Sequence, residues 1–215
     1  MLFQDFIKYI PKIEKEKLLA ADAHAKMAPL ERISFLKELN YETRNPREAA
    51  VLMLFYPKNG ITHLALIVRN TYPGVHSSQI GFPGGKVEIE DKDLADTALR
   101  ETHEEVGIPP HKIQIIKPFS KVYIPPSNFL VSPFMGISHE ELTFIPDHDE
   151  VKNVLEFPLF SFLDEKSITN VKMTTSYATD IEVPAFMVEK YVVWGATAMM
   201  MSELKEAVKN AINKQ

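Results

Sequence analysis

Between residues 84 and 108 the chain sets a pair of glycines ahead of a helix that would be poorly stable by itself. Arg100-Glu101-Thr102-His103-Glu104-Glu105-Val106-Gly107-Ile108 places Glu101 against Glu104 at i, i+3 and against Glu105 at i, i+4. Three carboxylates therefore crowd one side. Like charges at those spacings cost about 0.2–0.5 kcal/mol per pair. They also fall in the last turn before Gly107, a candidate C′ residue, where the helix dipole disfavours each anion by about 0.3–1 kcal/mol. The sum, on the order of 1–3 kcal/mol, is a sizeable part of a domain's net stability of about 5–15 kcal/mol. On helical geometry Ala95, Ala98, Leu99, Thr102 and Val106 share one arc, and the three glutamates share the flanking arc. One side is thus expected to pack on a sheet while the carboxylates face a cleft at its edge. Clustered carboxylates are hard oxygen donors, which suit Mg²⁺ or Mn²⁺ better than zinc.

The sheet comes from the apolar runs around this helix. Residues 49–56 and 62–68 are of strand length and are separated by Pro57-Lys58-Asn59-Gly60, a turn. Residues 113–116, 122–124, 129–137, 151–157 and 171–176 continue the β pattern, and 185–188 adds a short strand after Pro184. Ahead of them, residues 1–45 read as an amphipathic helical extension, with Phe6, Ile7, Ile10 and Ile13, then Leu30, Ile33, Leu36 and Leu39 at helical steps. Pro11 and Pro29 are expected to start or break helices there. This extension is expected to dock on the remaining domain, 46–215; a dimer contact or a substrate cap is the alternative. The chain ends on Thr197, Met201, Leu204, Val208 and Ile212 at helical spacing. The expected class is α/β, a mixed sheet flanked by helices.

Composition narrows the function. A net charge of −5 without a basic block argues against nucleic acid as a main partner. The absence of cysteine removes disulfides, thiolate catalysis and zinc–thiolate sites. Met1-Leu2-Phe3-Gln4-Asp5 lacks a basic start, and no apolar stretch reaches the ~20 residues of a membrane span. A cytoplasmic protein is expected.

Gly85, Asp91 and the run Arg100 through Ile108 resemble the signature of the Nudix hydrolases, a family that cleaves nucleoside diphosphates linked to another group. Asp91 stands where the pattern has Glu, the gap to Arg100 is one residue longer than usual, and Thr102 replaces an aliphatic residue. The longer gap, Phe82-Pro83-Gly84-Gly85 before it and Thr97-Ala98-Leu99 inside it are similar to the coenzyme A pyrophosphatase branch. That branch also carries an upstream element, matched here by Arg69 and Gln79; Gly74 stands in place of its second Arg, and Ser78 in place of a Gly. Trp194-Gly195-Ala196-Thr197-Ala198 resembles the start of the branch's last helix, although a lone Trp is also an ordinary core residue.

The resemblance implies an α/β/α sandwich, Mg²⁺ or Mn²⁺ as cofactor, and Glu101, Glu104 and Glu105 as metal ligands with the Gly85 carbonyl. Arg100 would orient the acids, reaching Glu104 at i, i+4. Asp91 is either the helix N-cap or a support for the acid cluster, with Asp93 competing for the cap. Arg69, Gln79 and Phe82 are candidate substrate contacts, and His103 reads as a surface residue. The expected chemistry is in-line attack of water on one phosphorus, with divalent ions shielding the diphosphate charge. The proton goes to a glutamate or to a downstream acid among Asp147, Asp149 and Glu150, of which Glu150 is preferred. Two other readings stay open: the same chemistry on ADP-ribose, NADH or a nucleoside triphosphate, or a nucleotide-binding module without turnover. The intact glutamate set argues against the last. A homodimer is plausible from the apolar extension.

Overall fold

Period-two alternation in the longest apolar run sets the layers. Strand β1 (Arg47–Lys58) sends Ala50, Leu52, Leu54 and Tyr56 into a core with Ala98 and Val106, and Ala49, Met53 and Phe55 into a second core with Leu64 and Met201. One sheet is thus buried on both faces, which explains its near-continuous apolar run. The computed structural model describes residues 1–29, 31–34, 41–70, 79–174 and 179–213.

Along one edge β1 runs parallel to β7 (Phe129–Ile137), from Arg47↔Phe129 to Phe55↔Ile137. Its other edge is shared. β4 (Gly84–Lys86) pairs antiparallel with its first half, and β2 (Ile61–Arg69) with its second half. β3 (Ile80–Gly81) pairs instead with β2. The sheet therefore forks, and Phe82-Pro83 cross the fork, where the Leu52 N–H donates to the Pro83 carbonyl at 2.8 Å. β5 (Gln114–Pro118) and β6 (Val122–Ile124) pair with β7, and β8 (Val151–Pro158) pairs with β2. A second sheet holds β9 (Ile168–Met173), β10 (Ile181–Val188) and β11 (Tyr191–Val193).

The helix carrying the glutamates, α4 (Leu94–Val106), covers one face of the main sheet. The other face is covered by the C-terminal helix, α6 (Gly195–Asn213), and by short N-terminal helices α1 (Phe3–Phe6), α2 (Ile10–Lys15) and α3 (Ala21–Ala25). Between β8 and β9 lies α5 (Leu159–Leu163). The result is a mixed sheet between helical layers, as the residue pattern predicts. Among the described residues no helix is long and apolar enough to cross a membrane.

Several boundaries differ from the sequence reading. β1 continues through Pro57 and Lys58, so the turn shrinks to Asn59-Gly60 with φ of 49° and 72°, the two left-handed positions of a type I′ hairpin. The glycine pair is a strand, β4, because Ala50 and Val51 offer it a free edge. β9 begins at Ile168, and β10 begins at Ile181 with Pro184 inside it. β11 was not foreseen; at three residues it carries too little pattern. Pro11 falls in the first turn of α2, and the Pro29 carbonyl accepts from Arg32 and Ile33, so both open helical turns. Leu30, Leu36, Leu39, Gly74, His76, Ser78 and Ser176 lie outside the described residues.

Candidate active site

The site is built on both ends of α4. At its start Asp93, not Asp91, is the N-cap: its side chain accepts from the Asp96 N–H at 2.9 Å. That frees Asp91 for Arg100. The guanidinium Nε and Nη2 reach the two Asp91 oxygens at 2.8 and 3.0 Å, a bidentate pair. Thr97 Oγ1 adds a third bond to Asp91 at 2.8 Å. Arg100 holds Asp91 well below the usual carboxylate range; burial opposes this, and the Glu88 N–H and Thr97 hydroxyl reinforce it. In return Asp91 above all keeps Arg100 firmly charged. The same guanidinium donates from Nη2 to the Lys86 carbonyl at 3.1 Å, and from Nη1 to Glu101 at 3.1 Å and Glu104 at 2.8 Å.

The three glutamates do not share one environment. Glu104 is exposed, Glu101 is largely covered, and Glu105 is 1% exposed. The sequence arcs put all three at a cleft; Glu105 instead turns under the sheet fork, and Thr97 takes a buried place that Ala95 and Leu99 only half occupy. Glu105 Oε2 accepts the Gly84 N–H at 2.8 Å. Its Oε1 lies 3.3 Å from Arg69 Nη2, an ion pair without hydrogen-bond alignment, and has no hydrogen-bond partner among the described residues. Burial pushes the Glu105 carboxyl up to about 7; Arg69 and the Gly84 N–H pull it down, while the charges of Glu101 and Glu150 push it further up. Glu101 is raised by burial against the pull of Arg100, with Glu104 and Glu150 adding to the rise. Thr102, in an aliphatic position of the family pattern, is fully buried and donates its hydroxyl to the Ala98 carbonyl at 2.6 Å, so it packs without an unpaired group.

At the other end Gly107 caps α4 at φ 72°. The Ile145 and Asp147 N–H groups satisfy the Val106 and Glu105 carbonyls at 2.9 and 3.0 Å, which docks the downstream acidic loop on the helix end. Asp147 Oδ1 is tied to the Asp149 N–H at 2.9 Å. The Glu150 carbonyl accepts from the Asn70 N–H at 2.7 Å, and its side-chain charge acts on both Glu101 and Glu105. His103 is exposed.

A cavity of about 590 Å³ opens on the opposite face of the fork. Arg69, Gln79, Phe82, Gly85, Lys86 and Trp194 all border it. Phe82 is itself core, 2% exposed, and contributes wall; Trp194 is half-buried. Gly84 and Gly85 explain how cavity and acids communicate. A Cβ on Gly85 would collide with the Glu101 carboxylate, and a Cβ on Gly84 with the Ala50 carbonyl. Between the cavity and the carboxylates therefore lie the backbone of β4, bare at Gly84 and Gly85, and the Arg69 side chain that meets Glu105.

This donor set suits a hard divalent cation: glutamate oxygens along one helix, a buried Glu105 Oε1 that no hydrogen bond holds among the described residues, and a strand backbone against Glu101. Among the described residues no three Asp, Glu or His side chains converge on one point as they stand. Arg100 Nη1 draws Glu101 and Glu104 to itself, and the exposed Glu104 can rotate away. Sequence reasoning missed the Arg69–Glu105 pair, which depends on which strand passes the helix and is not encoded in local spacing; of the two cap candidates it left open, Asp93 takes the cap and Asp91 supports the acid cluster through Arg100.

The NUDIX domain model matches residues 45–173. A protein described as uncharacterized Nudix hydrolase NudL from Citrobacter koseri is 34% identical over 187 residues, covering 81% of this chain and 90% of that protein. One of the same description from Salmonella paratyphi B is 34% identical over 182 residues, with the same coverage. Among solved structures, a MutT/nudix family protein from Enterococcus faecalis covers 89% of this chain and 72% of its own at TM-score 0.51 and 18% identity. A NUDIX hydrolase from Nitrosomonas europaea covers 79% and 74% at TM-score 0.50 and 16% identity. These last two share the fold.

Proposed function

Because this chain belongs to the Nudix hydrolase family, we propose that it is a divalent-metal-dependent pyrophosphohydrolase acting on coenzyme A or an acyl-coenzyme A. The products would be 3′,5′-ADP and a 4′-phosphopantetheine. The observation that carries this reading is the thin β4 partition: Glu101 packs on one side of Gly85, and Arg69 and Gln79 face the cavity on the other. A diphosphate in the cavity mouth lies within reach of the acids past the two glycines and beside Arg69.

Glu101, Glu104, Glu105 and the Gly85 carbonyl would hold Mg²⁺ or Mn²⁺. When bound, the ion screens diphosphate charge and lowers the pKa of water. Arg100, anchored by Asp91, sets the orientation of Glu101 and Glu104. Arg69 fixes Glu105, so its part in substrate binding runs through that carboxylate. Gln79 and Lys86 face the cavity and supply donors for phosphoryl oxygens. The Glu150 carboxylate takes the proton from the attacking water.

The test is a parallel panel of coenzyme A, acetyl-coenzyme A, NADH, ADP-ribose and a nucleoside triphosphate with Mg²⁺ or Mn²⁺, products separated by chromatography. Release of 3′,5′-ADP from the coenzyme A species alone is the expected result. Preference for another diphosphate would keep the reaction and overturn the substrate. Glu104→Gln should lower turnover more than about 100-fold with the fold intact; normal turnover of that variant would overturn the site.

A further inference from the structure

Away from Arg69, Gln79 and Lys86 the cavity is walled mainly by Val51, Ile124, Phe129, Val131, Trp194 and Met200, with Ser127, Thr174 and Thr197 as its other polar residues. The apolar ones come from β1, β6, β7, α6 and the residue just before α6, Trp194, so the wall is part of the scaffold, not of one loop. Val51, Ile124, Phe129 and Trp194 are only half-buried, unlike the fully buried residues of the two cores. Arg47 pins Phe129 by stacking 4.1 Å over its ring while donating to the Ser127 carbonyl at 2.9 Å. The polar groups on this side are few. Thr197 gives its hydroxyl to the Ile80 carbonyl at 2.9 Å, and the buried Ser127 Oγ has no hydrogen-bond partner among the described residues.

Phosphates, ribose hydroxyls and base edges would be left unpaired against such a wall. An alkyl chain gains from it, by about fourfold in affinity per fully buried methylene. Resting on the coenzyme A reading above, we propose that this wall is an acyl-chain subsite, and that the preferred substrate is an acyl-coenzyme A with an extended apolar chain, not free coenzyme A. The polar mouth holds the diphosphate over Gly84-Gly85. The chain lies along Ile124, Phe129 and Trp194. The unbranched thioether side chain of Met200 adapts to different chain lengths.

Trp194 is the only tryptophan of the chain, so its fluorescence reports this wall directly. Metal-free protein would be titrated with coenzyme A and its acetyl, hexanoyl and decanoyl thioesters below their micellar range. The same series would then be assayed with Mg²⁺ for 3′,5′-ADP release. Affinity and kcat/KM should rise at least tenfold from acetyl to decanoyl. Ile124→Ser, at a half-buried position, should flatten both slopes. Turnover that is equal along the series, with no chain-dependent change at Trp194, would overturn the subsite while leaving the coenzyme A reading intact. Absence of turnover and of binding for every thioester, with another diphosphate cleaved, would overturn that reading and the subsite with it. Should Ile124→Ser fail to fold, the wild-type slopes decide alone.

Discussion

At the scale of single residues, the site is held by one arginine that serves three acids. Asp91 takes the bidentate face of Arg100, which leaves Nη1 for Glu101 and Glu104. Asp91→Asn keeps the shape and removes the charge. Hydrogen bonds to charged groups contribute about 1.5–3 kcal/mol, so urea unfolding at pH 7 should show a loss of about 2 kcal/mol. Because Asp91 is held below the ordinary carboxylate range, its contribution is present above a pH of about 3.9 and fades as pH falls further. The gap between wild type and variant should therefore close in acid; a gap that persists there would mean the charge is not what stabilises. The Arg100–Glu104 contact was legible in the sequence, since i, i+4 spacing on a helix fixes it. The Arg100–Asp91 and Arg69–Glu105 pairs were not, because each joins groups whose approach depends on how separate segments meet.

At the scale of elements, the fork between β3 and β4 does most to define the site, and the two glycines of β4 have different tasks. Gly84 sits at φ 149°, where an L side chain is strained, and its missing Cβ faces the Ala50 carbonyl, which cannot yield. Gly84→Ala should destabilise by about 1–3 kcal/mol for the backbone strain alone. Gly85 has no positive φ, and its missing Cβ faces a carboxylate that can swing aside. Gly85→Ala should leave the melting temperature nearly unchanged and cut kcat about 100-fold, since it displaces Glu101. Melting and turnover measured side by side on both variants check the division; stability loss at Gly85 without activity loss would reverse it. The long strands and α4 were legible from period and length. β3, β4 and β11, at two or three residues, were not, because their pairing is decided by the edges that other strands leave open.

Across the whole molecule, the N-terminal segment and the C-terminal helix close the cavity side of the sheet, and a buried carboxylate ties them together. Phe3, Phe6 and Ile13 share a core with Phe55, Leu64 and Met201, which the helical spacing of the ends foreshadowed. The tie itself carried no sequence signal. Glu203 of α6 is 1% exposed and accepts the Ala20 N–H at 2.6 Å, the Ser120 N–H at 2.9 Å and the Ser120 hydroxyl at 2.7 Å, with His24 Nε2 at 3.6 Å. Burial alone would raise this carboxyl, yet His24, Ser120 and the Ala20 N–H bring it from 4.5 down to about 2. A depressed folded-state value means stability that is present above 4.5 and lost as pH falls toward about 2. The shift corresponds to roughly 3 kcal/mol. Glu203→Gln should thus unfold at lower urea at pH 7, and its N-terminal amides should exchange faster with solvent. Only below a pH of about 2 should the two proteins unfold at nearly the same urea concentration. An unchanged midpoint at pH 7 would show that apolar packing of Phe3, Phe6 and Ile13 holds the segment without this carboxylate.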